Sequence, residues 1–204
     1  MRKLWVCTLA LCLGFASIGH ASSVTKFQFK GNTVGGGIST VEDACTYLYF
    51  NVYASDSVIK EGAATTTTKE LTFYIFGFDN CQSVNYSSFV ALPLTVSLPN
   101  QSSVTFPFDF LVDVTPFDSY DVTAQKRMVG SVTLTATGDS QKSRQDDITQ
   151  SETTRQVVRS RGTTRDATIT ATAKLDGVQL NFSAETGSGE MGTTRTGTME
   201  ITRY

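Results

Sequence analysis

Apolar and polar residues alternate with period two along much of this chain. The clearest run is 103–114. There Val104, Phe106, Phe108, Phe110, Val112 and Val114 hold the even positions, with Ser103, Thr105, Pro107, Asp109, Leu111 and Asp113 between them. Successive side chains of a strand point to opposite faces, so the run reads as a strand with one buried face. Pro107 has no N–H to give a ladder, which suggests an edge or a bulge. Further strands read at 24–30, 44–54, 70–79, 84–92, 119–125, 128–137, 166–175, 178–184 and 195–203. Asp176-Gly177 joins two alternating runs and predicts a two-residue type I′ hairpin. Helix signals are nearly absent, and thirty threonines after residue 21 favour a pleated, half-buried surface. The stretch 138–165 is polar and mixes arginines with acids. It reads either as a surface loop or as a long polar hairpin extending beyond the core.

These elements predict an all-β fold, an antiparallel β-sandwich of about nine to eleven strands. The N-terminus changes the chemistry open to it. Met1-Arg2-Lys3, an apolar run to Ile18 and then Gly19-His20-Ala21 have the three parts of a secretory signal. The predicted organisation is therefore a signal peptide over 1–21 and one domain over 22–204. The apolar run is shorter than the roughly 20 residues of a membrane span, and no comparable run follows. Cleavage would remove Trp5 and His20, the only tryptophan and histidine. Without histidine, Ser-His and Cys-His nucleophile pairs and histidine-held metals are excluded. Arg2 and Lys3 leave with the leader, so 15 basic and 19 acidic residues remain, net −4. That mild charge argues against nucleic acid as a main partner. No cofactor is expected.

Cys45 and Cys81 are the two cysteines left beyond the leader, and an even pair in an exported chain reads as one structural disulfide. Placing them directly opposite each other in an antiparallel pair sets a register. Leu48 then faces Phe78, Phe50 faces Phe76, Val52 faces Tyr74 and Ala54 faces Thr72, an apolar face that reads as core. The other face pairs Tyr47 with Asp79, Tyr49 with Gly77, Asn51 with Ile75 and Tyr53 with Phe73. Residues 55–69 become the connecting loop.

That second face supplies the first candidate binding site: Tyr47, Tyr49 and Tyr53 with Asn51 and Asp79. Tyrosine presents a large area and a polar tip, suited to stacking on sugars or gripping a partner; the competing reading packs this face under a second sheet. A second candidate is the group Asp109, Asp113, Asp118 and Asp121, whose carboxylates could hold Ca²⁺, but no EF-hand spacing exists and a solvated strand face and turn is the commoner reason for such a group, so no metal is expected. Glu42, Asp43, Glu185 and Glu190 could supply the carboxylate pair of a glycoside hydrolase, the hydrolytic chemistry that needs no histidine. The arginines of 155–165 could contact acidic glycans or pair with neighbouring acids, and pairing is the commoner outcome.

Five segments are taken together: Asp43-Ala44-Cys45, Asn51-Val52-Tyr53-Ala54-Ser55-Asp56, Phe78-Asp79-Asn80-Cys81, Thr137-Gly138-Asp139 and Leu175-Asp176-Gly177…Asn181-Phe182. Together they resemble a loosely defined family of uncharacterised secreted bacterial β-rich proteins. The resemblance implies export and an all-β fold, and it carries over no catalytic residue. The expected function is that of a non-enzymatic module at the cell surface, secreted or periplasmic. It would bind a glycan or protein partner or serve a structural role. The alternatives are a carboxylate-dependent polysaccharide hydrolase and a pilus or fibre subunit.

Overall fold

Nine antiparallel strands make up most of the fold in the computed structural model, which describes residues 22–41, 45–98 and 102–204. In chain order they are β1 (Ser23–Ser39), β2 (Thr46–Glu61), β3 (Ala64–Asp79), β4 (Val84–Pro93), β5 (Ser103–Pro116), β6 (Ala124–Gln150), β7 (Thr154–Leu175), β8 (Val178–Leu180) and β9 (Ser188–Arg203). The proposed leader over 1–21 lies outside the described residues. No helix among them is long and apolar enough to cross a membrane.

Each strand pairs with its neighbour in sequence from β1 to β6, and β6 pairs with β7, β7 with β9, and β9 with β1. The sheet therefore returns to its start. The expected antiparallel all-β layers, with one disulfide, are realised as a single sheet joined at both edges. β8 shares with β9 the edge of β7 that β6 does not use. Within the closed ring of strands the shortest pairing is β4–β5, confined to Val84–Ser87 against Asp113–Pro116. Beyond it the two strands diverge, and Leu94 and Leu98 of the connection turn inward to help fill the gap.

Alternation decides what is inside. The even positions of β5 from Val104 to Val114 are all buried, as the sequence pattern requires. They meet Phe50, Val52, Phe73 and Ile75 from β2 and β3, and Met128, Val132 and Leu134 from β6. Phe50, Phe73 and Phe108 form an aromatic triangle with ring centroids 5.1–5.5 Å apart. Burying each such side chain stabilises by roughly 1.5–3 kcal/mol. Outside, β5 and β6 present Thr105, Asp109, Arg127, Ser131 and Thr133 together with the exposed Leu111 and Val129, a mostly polar face over an apolar interior. On these strands that is the inverse of the apolar-out pattern of a lipid-spanning barrel.

Several boundaries differ from the sequence reading. Residues 55–69 are not a loop: β2 and β3 stay paired from Thr46–Asp79 to Glu61–Ala64, with the turn at Gly62. The run Thr65–Thr68 is β-branched but polar on both faces, so alternation gives it no signal. Residues 119–123 are not a strand: 117–123 form an irregular turn region, and β6 begins at Ala124. The stretch 138–165 is the long polar hairpin, with β6 and β7 paired as far as Gln150–Arg155. Asp176-Gly177 makes the expected turn, with φ of 48° and 84° and Leu175 opposite Val178.

Six strands continue past the core: β3, β2, β1, β9, β7 and β6. The paired segments of β4 and β5 do not follow them. This flared half carries a small apolar cluster of its own. β9 has an extra residue opposite both β1 and β7 near Thr194–Thr196, and the flanking alternation puts Phe27, Phe29, Val158 and Met199 on the face opposite to the barrel interior. Phe27 and Val158 are buried there, apart from the main core.

Candidate functional site

The β2–β3 register is one residue away from the one inferred from opposed cysteines. Tyr47 faces Phe78, Tyr49 faces Phe76, Asn51 faces Tyr74 and Tyr53 faces Thr72. The reason is local. Cys81 lies beyond the end of β3, in the turn after Asp79, so the Cys45–Cys81 disulfide closes the end of the hairpin without belonging to its ladder. Asn80 N–H donates to the Cys45 carbonyl at 2.8 Å beside it. A one-residue shift exchanges faces. Phe73 and Ile75 become core, and Phe76 and Phe78 become outer.

The outer face of β2, β3 and β4 is therefore more aromatic than the sequence suggested. Tyr47 stacks on Phe78 with centroids 5.6 Å apart, Tyr49 meets Phe76 at 5.1 Å, and Phe76 meets Tyr74 at 5.7 Å. Phe89 of β4 stands opposite Tyr74. Tyr74, Phe76, Phe78 and Phe89 are 48, 43, 36 and 72% exposed. Tyr49 reaches across to β1, where a Cβ on Gly37 would lie 2.0 Å from its hydroxyl oxygen. Glycine there lets the ring lie flat on the strand. Burial pushes the Tyr53 phenol above its ordinary pKa; a Ser55 hydrogen bond opposes this and the Glu70 charge adds to it.

Asp79 is not part of that face. It is buried, and it accepts from Gln82 N–H at 2.9 Å, Gln82 Nε2 at 3.0 Å and Thr46 Oγ1 at 3.2 Å. Its work is to brace the turn that carries Cys81. The candidate site retains Tyr47, Tyr49, Asn51 and Tyr53 and gains Tyr74, Phe76, Phe78 and Phe89. Sequence reasoning missed Tyr74, Phe76 and Phe78 because Leu71–Phe78 is apolar at both parities, so alternation cannot choose its face, and Phe89 joins them only through the pairing of β4 with β3.

No known family, curated protein or solved structure matches the chain.

The acidic candidates are dispersed. Asp109 takes Arg127 Nε at 2.7 Å on Oδ1 and Arg127 Nη2 on Oδ2, and this bonded guanidinium holds its carboxyl below the usual carboxylate range. Asp113 accepts from Gln125 Nε2 at 2.7 Å. Asp118 and Asp121 lie in the exposed turn between β5 and β6. No group of three His, Cys, Asp or Glu among the described residues could hold a metal ion. Glu42 and Asp43 lie outside the described residues. Glu185 lies in a short 3₁₀ turn and Glu190 on β9, opposite Gly35 and Asp166. Of the arginines in 155–165, Arg159 approaches Asp146 at 3.9 Å, an acid it shares with Arg144.

Proposed function

We propose that this chain is a non-catalytic binding module, working at the cell surface or in another oxidising space, that engages a protein partner through the aromatic outer face of β2–β4. The observation that carries this is the exposure of Tyr74, Phe76, Phe78 and Phe89 on one continuous face. A contiguous exposed apolar patch marks an interaction surface more often than it decorates a monomer. Aromatic side chains are also enriched at the centres of protein interfaces. Phenylalanine lacks the polar tip that a sugar site exploits, which favours a protein over a glycan here. The disulfide fits an oxidising location.

Phe76→Ser/Phe89→Ser tests the reading. The oxidised wild type should retain a specific partner from envelope fractions, or dimerise in sedimentation, and the variant should lose that association with its circular dichroism unchanged. Equal retention by both proteins, with no self-association of either, refutes the aromatic face as the contact.

A further inference from the structure

The barrel interior opens into the flared half, and the face continuous with the apolar core becomes basic. The strand registers order this face into rows. Ala54, Val34, Met191 and Arg165 form one row across β2, β1, β9 and β7. The next row is Asp56, Asn32, Thr193, Thr163 and Lys142. Then come Val58 beside Lys30 on β2 and β1, and Thr196, Arg161 and Arg144 across β9, β7 and β6. That last row holds three cations and no acid.

Arg144 and Arg161 are directly opposed. Like charges directly opposite each other in a ladder are destabilising. The face compensates for little of this. Asp146 is shared by Arg144 and Arg159, Asp56 is held by Lys69 at 3.7 Å, and Glu200 by Lys26 at 3.3 Å. Lys30, Lys60, Lys142, Arg161, Arg165 and Arg195 have no ion pair among the described residues. Arg165 is the most telling. Its Nη2 donates to the Gly138 carbonyl at 3.1 Å, yet its Nε is buried and has no partner. A buried donor without an acceptor costs stability unless a ligand supplies one. Arg165 and Arg195 both line a cavity of about 220 Å³ floored by Val34, Leu98, Val104 and Met191. Arg195 continues into a second depression with Lys30 and Lys60, and Thr196–Thr198 link that one to a third with Arg144, Arg159 and Arg161.

From this we infer a binding site for a linear acidic polysaccharide, a sugar polymer bearing repeated carboxylate or sulfate groups. Guanidinium groups pair with such oxyanions through charge-assisted, often bidentate hydrogen bonds. Thr163, Thr193, Thr196 and Thr198 set hydroxyls between the cations, suited to sugar hydroxyls. Single-stranded nucleic acid is the weaker match. Such sites interleave cations with several aromatic stacking platforms, whereas the three depressions are lined by a single aromatic residue, Phe29 beside Lys30, and Phe27 alternates onto the opposite face. The site shares no residue with the aromatic face, so either can fail without the other.

The test uses the oxidised full domain, with polygalacturonate and heparin as probes at low salt. Arg144→Ser/Arg161→Ser is compared with Lys174→Ser/Arg203→Ser, a pair of exposed cations on the other face with the same change in net charge. Wild type should bind at least one probe in a salt-sensitive way. The first variant should weaken binding at least tenfold, and the second should leave it nearly unchanged. Phe76→Ser/Phe89→Ser should bind as wild type does. In wild type, amide NMR signals of 142–165 and 193–198 should move on adding oligogalacturonate, which keeps the test valid even if a variant misfolds. The inference is overturned if wild type binds neither probe, if both charge variants weaken equally, or if an oligonucleotide or an anionic lipid vesicle binds more tightly than either polysaccharide.

Discussion

Exchanging two phenylalanines of β3 three positions apart probes the register that decides which face is core. Phe73 is fully buried and packs on Phe50, Phe108 and Phe110 with ring centroids 5.3–5.5 Å away. Phe73→Ala removes that packing and leaves a cavity walled by other rings, so it should cost about 3–5 kcal/mol. For a domain of this size each kcal/mol moves Tm by roughly 2–4 °C, giving a fall of roughly 6–20 °C. Phe76 is 43% exposed and contacts Tyr49 and Tyr74 from the outside. Its ring remains half in water and its removal opens no cavity, so Phe76→Ala should cost about 1 kcal/mol or less, within the range of aromatic pair terms. Urea unfolding of the oxidised proteins, followed by circular dichroism, measures both. The register set by opposed cysteines makes the reverse forecast, because it places Phe76 against Phe50 in the core and Phe73 on the tyrosine face. Equal costs, or a larger loss for Phe76→Ala, would refute the observed pairing.

The disulfide closes a sequence separation of 36 residues, so Cys45→Ser/Cys81→Ser should lose about 4 kcal/mol in urea unfolding by the chain-entropy model; a loss under about 1 kcal/mol contradicts that estimate. Asp109 should titrate below a typical aspartate in carbon-detected NMR, and its contribution to stability is present above the unfolded pKa and lost as pH falls through the folded one. Arg127→Gln should raise that midpoint, and an unchanged midpoint would show that the guanidinium is not its cause. A Cβ at Gly130 would lie 2.0 Å from the Thr172 carbonyl oxygen, a backbone atom, whereas at Gly37 it meets only the tip of the half-buried Tyr49. Gly130→Ala should therefore destabilise by about 1–3 kcal/mol and Gly37→Ala by much less, with thermal melts showing the order.

What the sequence determined by itself was whatever depends on local chemistry with a single phase. β5 has an apolar residue at every even position for twelve residues, so its inner face was legible despite Leu111, and Asp176-Gly177 supports a positive-φ turn that few other residue pairs tolerate. The pairing of Cys45 with Cys81 was legible because no other cysteine follows residue 21. Tertiary structure decided the rest, where local pattern is degenerate. Leu71–Phe78 is apolar at both parities, so only packing against Phe108 and Phe110 selects Phe73 for the core and turns Phe76 outward. The thiols misled because a disulfide restrains distance, and one of them sits beyond the ladder it seemed to define. The basic face was equally hidden. Lys30, Lys142, Arg161 and Arg195 are scattered over more than 160 positions of a mildly acidic chain, and they share a surface only because a closed sheet brings β1, β6, β7 and β9 side by side.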